Sequence, residues 1–278
     1  MTNYSEYVGN TQTRVAIVDK SHANRLAVTL GENPVEDGDV LPLCWQWAWF
    51  NEAVPQDDLG RDGHPRKGLF LPNLQLPRRM WAGGKMELMR PIQIGQEIAK
   101  RSTIANIEEK KGKSGPLAIV SVVHEYLDQD QVCIKEVQNL VYREDPPKRL
   151  RTKEPVAIAA PQDPDISEGI DPNPVLMFRY SALTFNGHRI HYDADYARQV
   201  EGYPGLVFHA PLTATKLCAL SQKLMSDEPI TLFEYRATSP LFGGNQFSIH
   251  AKTEAGTVTA WAETPAGGQA MIASAASQ

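Results

Sequence analysis

Between Phe178 and Asp193 the chain gathers Arg179, Tyr180, Ser181, Thr184, Asn186, His188, Arg189, His191 and Asp193 into a segment that otherwise reads as buried. Such crowding of polar side chains needs a use. Histidine changes charge near neutral pH without help from its surroundings, so His191, five residues after Asn186, is the first candidate for a general acid or base. Asn186 has no proton to exchange. With Gly187 it forms a pair that readily takes positive φ, and a turn is expected there. The chemistry this spacing suggests is proton transfer by an imidazole held at the end of a regular element and reaching a cleft. Other chemistries find less support. No Gly-x-Ser-x-Gly string offers a hydrolase nucleophile, no Gly-x-Gly-x-x-Gly or Walker-type loop offers a nucleotide cradle, and the seven histidines show no metal-ligand spacing backed by cysteines or carboxylates. A metal-free site is expected.

Something rigid must hold these groups. Phe178 to Phe185 alternates loosely like a half-buried strand, so a strand is expected to lead into the turn. Asp193 suits the N-cap of a short helix over Ala194 to Val200. Leu212 to Met225 has no internal Pro or Gly and spaces Ala214, Leu217, Cys218, Ser221 and Leu224 three and four apart, which makes one small and apolar helical face. Pro211 fits the first position of that helix. Strand-like runs follow at Gln246 to Thr253, Thr257 to Glu263 and Gln269 to Ala273, and matching runs occur earlier at Ala99 to Ile107, Leu117 to Tyr126 and Val132 to Tyr142. Arg90-Pro91 before Gly95 is echoed by Ser239-Pro240 before Gly243, so a faint internal repeat is present, each copy ending in an antiparallel meander. From Lys148 to Pro174 five prolines among acidic residues leave no steady period, the pattern of a linker. The expected division is a lobe over 1–150, a linker over 151–174 and a second lobe over 175–278, in an α+β architecture. The first lobe has no counterpart of Asn186 and His191, so one lobe is expected to keep the catalytic groups and the other to wall the pocket. Trp45, Trp47 and Trp49 read as core, with contact to an acyl chain or adenine as the alternative.

Bulk properties narrow the field further. A chain of 278 residues, 42% hydrophobic, can bury one large core or two modest ones. A net charge of −5 argues against nucleic-acid partners. No apolar run is long enough for a membrane span, and Met1 to Asn10 is polar, without a basic stretch leading into an apolar one, so a cytoplasmic location is expected. Cys44, Cys133 and Cys218 are odd in number and far apart, which argues against a disulfide framework and a zinc cluster.

The run from Ser181 to Asp193 resembles the active-site segment of the MaoC-like, or (R)-specific enoyl-CoA hydratase, family. That pattern is roughly Ser-x-x-(Ser/Thr)-x-Asp-x-Asn-Pro-x-His-x-Asp, followed by His-Gly and a long helix. Ser181, Thr184, His191 and Asp193 fit it, and His209-Ala210-Pro211 stands where the second element belongs. Three positions differ. Asn186 takes the place of the family's catalytic Asp, His188-Arg189 replaces Asn-Pro, and Ala210 replaces the Gly that supplies an oxyanion donor. Phe70-Leu71-Pro72 and the run Pro77-Arg78-Arg79-Met80-Trp81-Ala82-Gly83-Gly84 resemble the front half of the two-lobed branch, which includes mesaconyl-CoA hydratases, itaconyl-CoA hydratases and mitochondrial 3-hydroxyacyl-thioester dehydratases. The resemblance implies a double hot-dog fold, in which each lobe wraps a curved antiparallel sheet around a long helix. It implies an acyl-CoA hydratase/dehydratase acting on a branched C5 dicarboxylyl-CoA, itaconyl-CoA or mesaconyl-CoA to citramalyl-CoA. Coenzyme A would then enter only as part of the substrate, with no further cofactor. A homo-oligomer such as a dimer is left open.

Adding water to an unsaturated thioester requires a base for the water, an acid for the α carbon and donors for the charge on the thioester oxygen. On the family pattern His191 is the acid/base. Asn186 either orients the water through its carbonyl oxygen or only shapes the turn. The Ala210 N–H, at a helix start, suits the oxyanion, and Pro211 has no N–H to offer. His209 either meets substrate or braces the helix start, and Tyr180 is a pocket candidate or a structural residue. A substrate carboxylate needs a cation, for which Arg189 on the turn is preferred to Arg179. Lys148 to Lys153 reads as a solvated basic loop, with contact to coenzyme A phosphates as the alternative. The rival functions are a 3-hydroxyacyl-[acyl-carrier-protein] dehydratase, a hot-dog thioesterase and a non-catalytic acyl-CoA-binding protein.

Overall fold

Among the described residues every strand joins one antiparallel sheet of ten. The computed structural model describes residues 4–112, 115–145, 157–225 and 228–277. The basic run Lys148 to Lys153 lies outside the described residues. Among those described, no helix is long and apolar enough to cross a membrane.

The first lobe contains β1 (Thr11–Ile17), α1 (Lys20–Leu30), β2 (Arg78–Leu88), β3 (Glu97–Gly112), β4 (Gly115–Asp128) and β5 (Gln131–Arg143). The three expected strand runs fall inside β3, β4 and β5. In β4 the residues Ala118, Val120, Val122, His124 and Tyr126 are buried at a spacing of two, because successive side chains of a strand face opposite sides. Asp19 caps α1 by accepting from the His22 N–H at 2.9 Å, and Gly31 closes it in the left-handed conformation at φ 76°. Its buried face, Ala23, Leu26, Ala27 and Leu30, joins a core that contains Trp45, Trp49 and Phe50. The tryptophan run itself forms a short 3₁₀ turn, Trp45–Ala48.

The second lobe contains β6 (Ile166–Ile170), α2 (Pro174–Leu183), α3 (Ala194–Tyr196), α4 (Ala210–Met225), β7 (Leu232–Ala237), β8 (Phe247–Glu254), β9 (Thr257–Glu263) and β10 (Gln269–Ala276). Helix α4 lies against β7, β8, β9 and β10. Leu212, Ala214, Leu217, Cys218, Leu220 and Ser221 are all buried, as a helix enclosed by a sheet requires. This is the double hot-dog arrangement. The lobes differ in their filling, since α1 has 11 residues and α4 has 16.

The halves fuse where β2 pairs with β7, from Gly83↔Arg236 to Glu87↔Leu232. Gly84 faces Tyr235 in this register, and a Cβ on Gly84 would lie 2.5 Å from the Tyr235 hydroxyl. The space goes to the Tyr235 ring, which stacks on Trp81 with centroids 4.5 Å apart.

Two expectations require correction. Residues 174–183 form α2 and not a strand, because Asn173 accepts from the Leu176 N–H at 2.9 Å and Pro174 fits the first helical turn, a start signal that outweighs the loose alternation after it. Its buried residues are Met177 and Tyr180, while Phe178 is 71% exposed. Within the supposed linker, Ile166–Ile170 pairs with β8 from Ile166↔Ala251 to Ile170↔Phe247 and forms the terminal strand of the sheet.

Candidate active site

The chain leaves α2 through a tight reversal. The Asn186 N–H donates to Ser181 O at 2.8 Å, and the positive φ falls on Phe185, at 48°, instead of on the Asn186-Gly187 pair. Asn186 Oδ1 then accepts from the His188 N–H at 3.0 Å, an Asx turn that fixes the side chain. A 3₁₀ turn, Arg189–His191, follows, and Asp193 caps α3 by accepting from the Tyr196 N–H at 2.9 Å. A π-helical turn, Ala197–Glu201, continues from α3.

His191 is buried, and its Nδ1 lies 2.7 Å from the Val207 carbonyl. A carbonyl only accepts, so Nδ1 carries the proton and Nε2 keeps its lone pair. Burial pushes the pKa of His191 down to about 4 against the upward pull of the Val207 bond, so the ring is neutral at neutral pH. Beneath it lies His209, fully buried, with ring centroids 3.7 Å apart and 19° between planes. His209 Nε2 and Ser181 Oγ share a hydrogen bond of 2.8 Å, and burial and then His191 drive the pKa of His209 well down. The two chain segments that resemble the family pattern therefore meet at this stacked pair.

Asn186, His188, His191, Ala210 and Tyr180 line a cavity of about 580 Å³ whose wall draws on both lobes. Ala210 is the first residue of α4, so its N–H has no acceptor within the helix, and the helix dipole favours negative charge there. A second depression, of about 640 Å³ and lined among others by Phe242, Asn245 and Pro265, has no ionisable side chain in its wall.

The first lobe does more than wall the pocket. Its loop at residues 60–65 docks on the Asn186 turn, with the Arg189 N–H donating to Asp62 O at 2.8 Å and Arg189 Nη1 to Arg61 O at 3.2 Å. Gly63, at φ +85°, comes so close to Gly187 that a Cβ would fall 2.1 Å from the Gly187 oxygen. Docking brings His64 into the cavity wall, its ring centroid 4.4 Å from that of His188, which is itself 5.4 Å from that of His191. His64 Nδ1 lies 3.3 Å from Asp62 Oδ2, and the His64 N–H donates to Asp62 Oδ1 at 3.1 Å. Burial would raise the Asp62 carboxyl, but the His64 hydrogen bond, His64 and Arg79 charge and the backbone N–H outweigh it and hold the carboxyl at about 2. Burial and then Arg79 lower His64, against the pull of Asp62. Arg79 also lines the cavity, its side chain 12% exposed and 4.0 Å from Asp62.

The candidate cations from the sequence lie elsewhere. Arg189 is spent on Asp193, at 2.7 Å, and on the Tyr196 ring, 4.3 Å from its centroid; it is outside the cavity wall. Arg179 is exposed on α2 and also outside it. His209 supports the His191 ring from below without lining the cavity, whereas Tyr180 lines it, edge-on to His209 at 5.1 Å. Burial raises the Tyr180 phenol against a hydrogen bond to Thr215. Among the tryptophans, Trp47 reaches the cavity and donates to Glu136 at 3.1 Å. Arg79 stood in the run Pro77 to Gly84, but no local pattern in sequence connects it, or Asp62 and His64, to a site more than 100 residues away.

Asp62, His64 and His188 have ligand-type atoms within 4.8 Å of one another. The fixed positive charge of Arg79 beside them opposes a metal cation, and Asp62 is already engaged by His64. The set is better suited to handling a proton.

Residues 44–243 match the family described as hydroxyacyl-thioester dehydratase type 2. The chain is 38% identical over 274 residues to a mesaconyl-C(4)-CoA hydratase of Chloroflexus aurantiacus, covering 98% of this chain and 96% of that protein. It is 30% identical over 225 residues to a mitochondrial hydroxyacyl-thioester dehydratase type 2 of Schizosaccharomyces pombe, covering 71% and 73%. A Mycobacterium tuberculosis structure with a double hot-dog fold superposes with a TM-score of 0.61 at 11% identity, covering 98% of this chain and 97% of that one.

Proposed function

Since the chain belongs to the hydroxyacyl-thioester dehydratase type 2 family of hydro-lyases, we propose that it reversibly adds water to a branched C5 dicarboxylyl-CoA, with mesaconyl-CoA joined through C4 as the leading substrate and citramalyl-CoA as product. The observation that carries this reading is Arg79 in the same cavity wall as His191 and Asn186. In a mesaconyl thioester joined through C4, the free carboxylate sits on the β carbon, the one that takes up the hydroxyl. A cation must therefore stand beside the proton-handling groups. A guanidinium can grip the carboxylate with two parallel hydrogen bonds, and Arg79 lines the cavity, as do Arg14, Arg143 and Lys100, whereas Arg189 and Arg179 do not; the contact of Arg79 with Asp62, the partner of His64, makes it our choice among them.

Coenzyme A enters as part of the substrate, and no other cofactor is required. Asn186 Oδ1, already accepting from the His188 N–H, has a second lone pair with which to orient the water. As the water oxygen bonds to the β carbon, the π pair moves onto the thioester oxygen, where the Ala210 N–H and the start of α4 stabilise it. His191 Nε2, neutral at rest, can hold a proton in transit and deliver it to the α carbon, so that the proton given up by the water is the one the product gains. Incubation with mesaconyl-C4-CoA, itaconyl-CoA and crotonyl-CoA, alongside a crotonyl carrier-protein thioester, tests the reading when products are followed by mass. A gain of one water with the thioester intact, fastest for a dicarboxylyl-CoA, is expected. Free thiol, fastest turnover of the carrier thioester, or unchanged ester would each assign a different function.

A further inference from the structure

Two proton transfers accompany hydration, one from water and one to the α carbon, and in the resembling family pattern a carboxylate stands at the position of Asn186. An amide cannot accept a proton at working pH. We infer that His64, held by Asp62, takes the proton from the attacking water, so that the first lobe supplies the acid/base group that position 186 lacks. This deepens the reading above and rests on it.

The placement supports the assignment. Loop 60–65 is pinned to the Asn186 turn by the Arg189–Asp62 backbone bond and by the glycine contact at Gly63 and Gly187, so His64 is fixed relative to the water that Asn186 orients. Asp62 accepts the Nδ1 proton of His64, which selects the tautomer with a lone pair on Nε2. Here the carboxylate stabilises the imidazolium that forms, while burial and Arg79 keep His64 neutral beforehand and its lone pair available. A single proton moves. It leaves the water oxygen for His64 Nε2 as the C–O bond forms, passes through the solvent of the cavity that both rings line to His191 Nε2, and reaches the α carbon as the enolate collapses. Asp62 stays ionised throughout and is a positioning residue.

The test measures kcat and KM for mesaconyl-C4-CoA across pH in His64→Gln, Asp62→Asn, Asn186→Asp and the double variant His64→Gln/Asn186→Asp. His64→Gln should lower kcat by roughly 10²-fold, in the usual range for a lost acid/base group, and leave KM within about threefold. Adding Asn186→Asp should recover at least about tenfold, because a carboxylate again faces the water. Asp62→Asn should lower kcat less and move the acid limb of its pH profile downward, since the imidazolium loses its partner. If His64→Gln does not fold, the acid limb of Asp62→Asn decides alone, and an unmoved limb overturns the inference. A His64→Gln enzyme with wild-type kcat would also overturn it, while leaving His191 to perform both transfers; loss of turnover in His191→Ala is the separate check on the underlying reading. Activity abolished by EDTA and restored by zinc would give the cluster to a metal and overturn the inference as well.

Discussion

Replacing Arg79 with Met keeps most of the apolar stem and removes the cation proposed to distinguish a dicarboxylyl from a simple acyl thioester. The side chain is 12% exposed, so water would do little to replace it beside a bound carboxylate. A hydrogen bond to a charged group contributes about 1.5–3 kcal/mol, and leaving one member of a buried pair alone costs about 3–5 kcal/mol. Taking about 3 kcal/mol, with 1.36 kcal/mol per decade, the loss in kcat/KM for mesaconyl-C4-CoA is about 150-fold. Crotonyl-CoA has no carboxylate to lose. Its rate should change less than about tenfold, through the altered charge around His64 and Asp62 alone. Asp62 keeps its bonds to His64 in this variant, so the loop should remain docked. Arg79→Lys should fall between, because it keeps the charge without the planar fork. The assay is initial rates of hydration for both esters on both variants, with thermal melts to confirm folding. Equal losses on the two substrates would refute the carboxylate role of Arg79 and the substrate assignment that depends on it.

Gly63→Ala should detach the docked loop, because its φ of +85° strains any other residue and the new Cβ would fall 2.1 Å from the Gly187 oxygen; a fall in kcat of at least about tenfold with a largely retained melt is expected, and a fully active variant would show that the loop contact is dispensable. Stability should also depend on pH through His191, whose folded pKa of about 4 lies below the ordinary 6.5. The unfolded chain binds the proton first as pH falls, so this contribution is complete above 6.5 and is lost on the way down to about 4, by at most about 3 kcal/mol. Urea midpoints at pH 7.5 and 5 should therefore fall more in the wild type than in His191→Gln, and identical pH dependence in the two would contradict the buried neutral ring.

Much of the scaffold was legible because its periods are strong. The meander strands and α4 follow alternation and three-four spacing that tertiary contacts reinforce. The helix α2 was harder, since Phe178 and Phe185, the residues that suggested alternation, are among the most exposed apolar side chains, and the informative signal was the Asn173-Pro174 start. His191, Asn186 and Ala210 could be named because they belong to two neighbouring segments that together resemble one family pattern, and the structure places all three on one cavity. Arg79, Asp62 and His64 could not, since they join that cavity only after β2 pairs with β7 and loop 60–65 closes on Gly187. Arg189 illustrates the converse error. Closeness in sequence to Asn186 suggested substrate contact, but an i,i+4 carboxylate at Asp193 was nearer and captured it.

The central claim is that this site hydrates an unsaturated acyl-CoA through the His191 imidazole. Single-turnover hydration of mesaconyl-C4-CoA by the wild type and by His191→Ala, with binding of the ester measured separately, tests it most directly. A fall in the chemical rate of at least about 10²-fold with ester affinity within about threefold is expected, because the lost interaction acts only in the transition state. A variant that retains more than about a tenth of the wild-type rate would contradict the account.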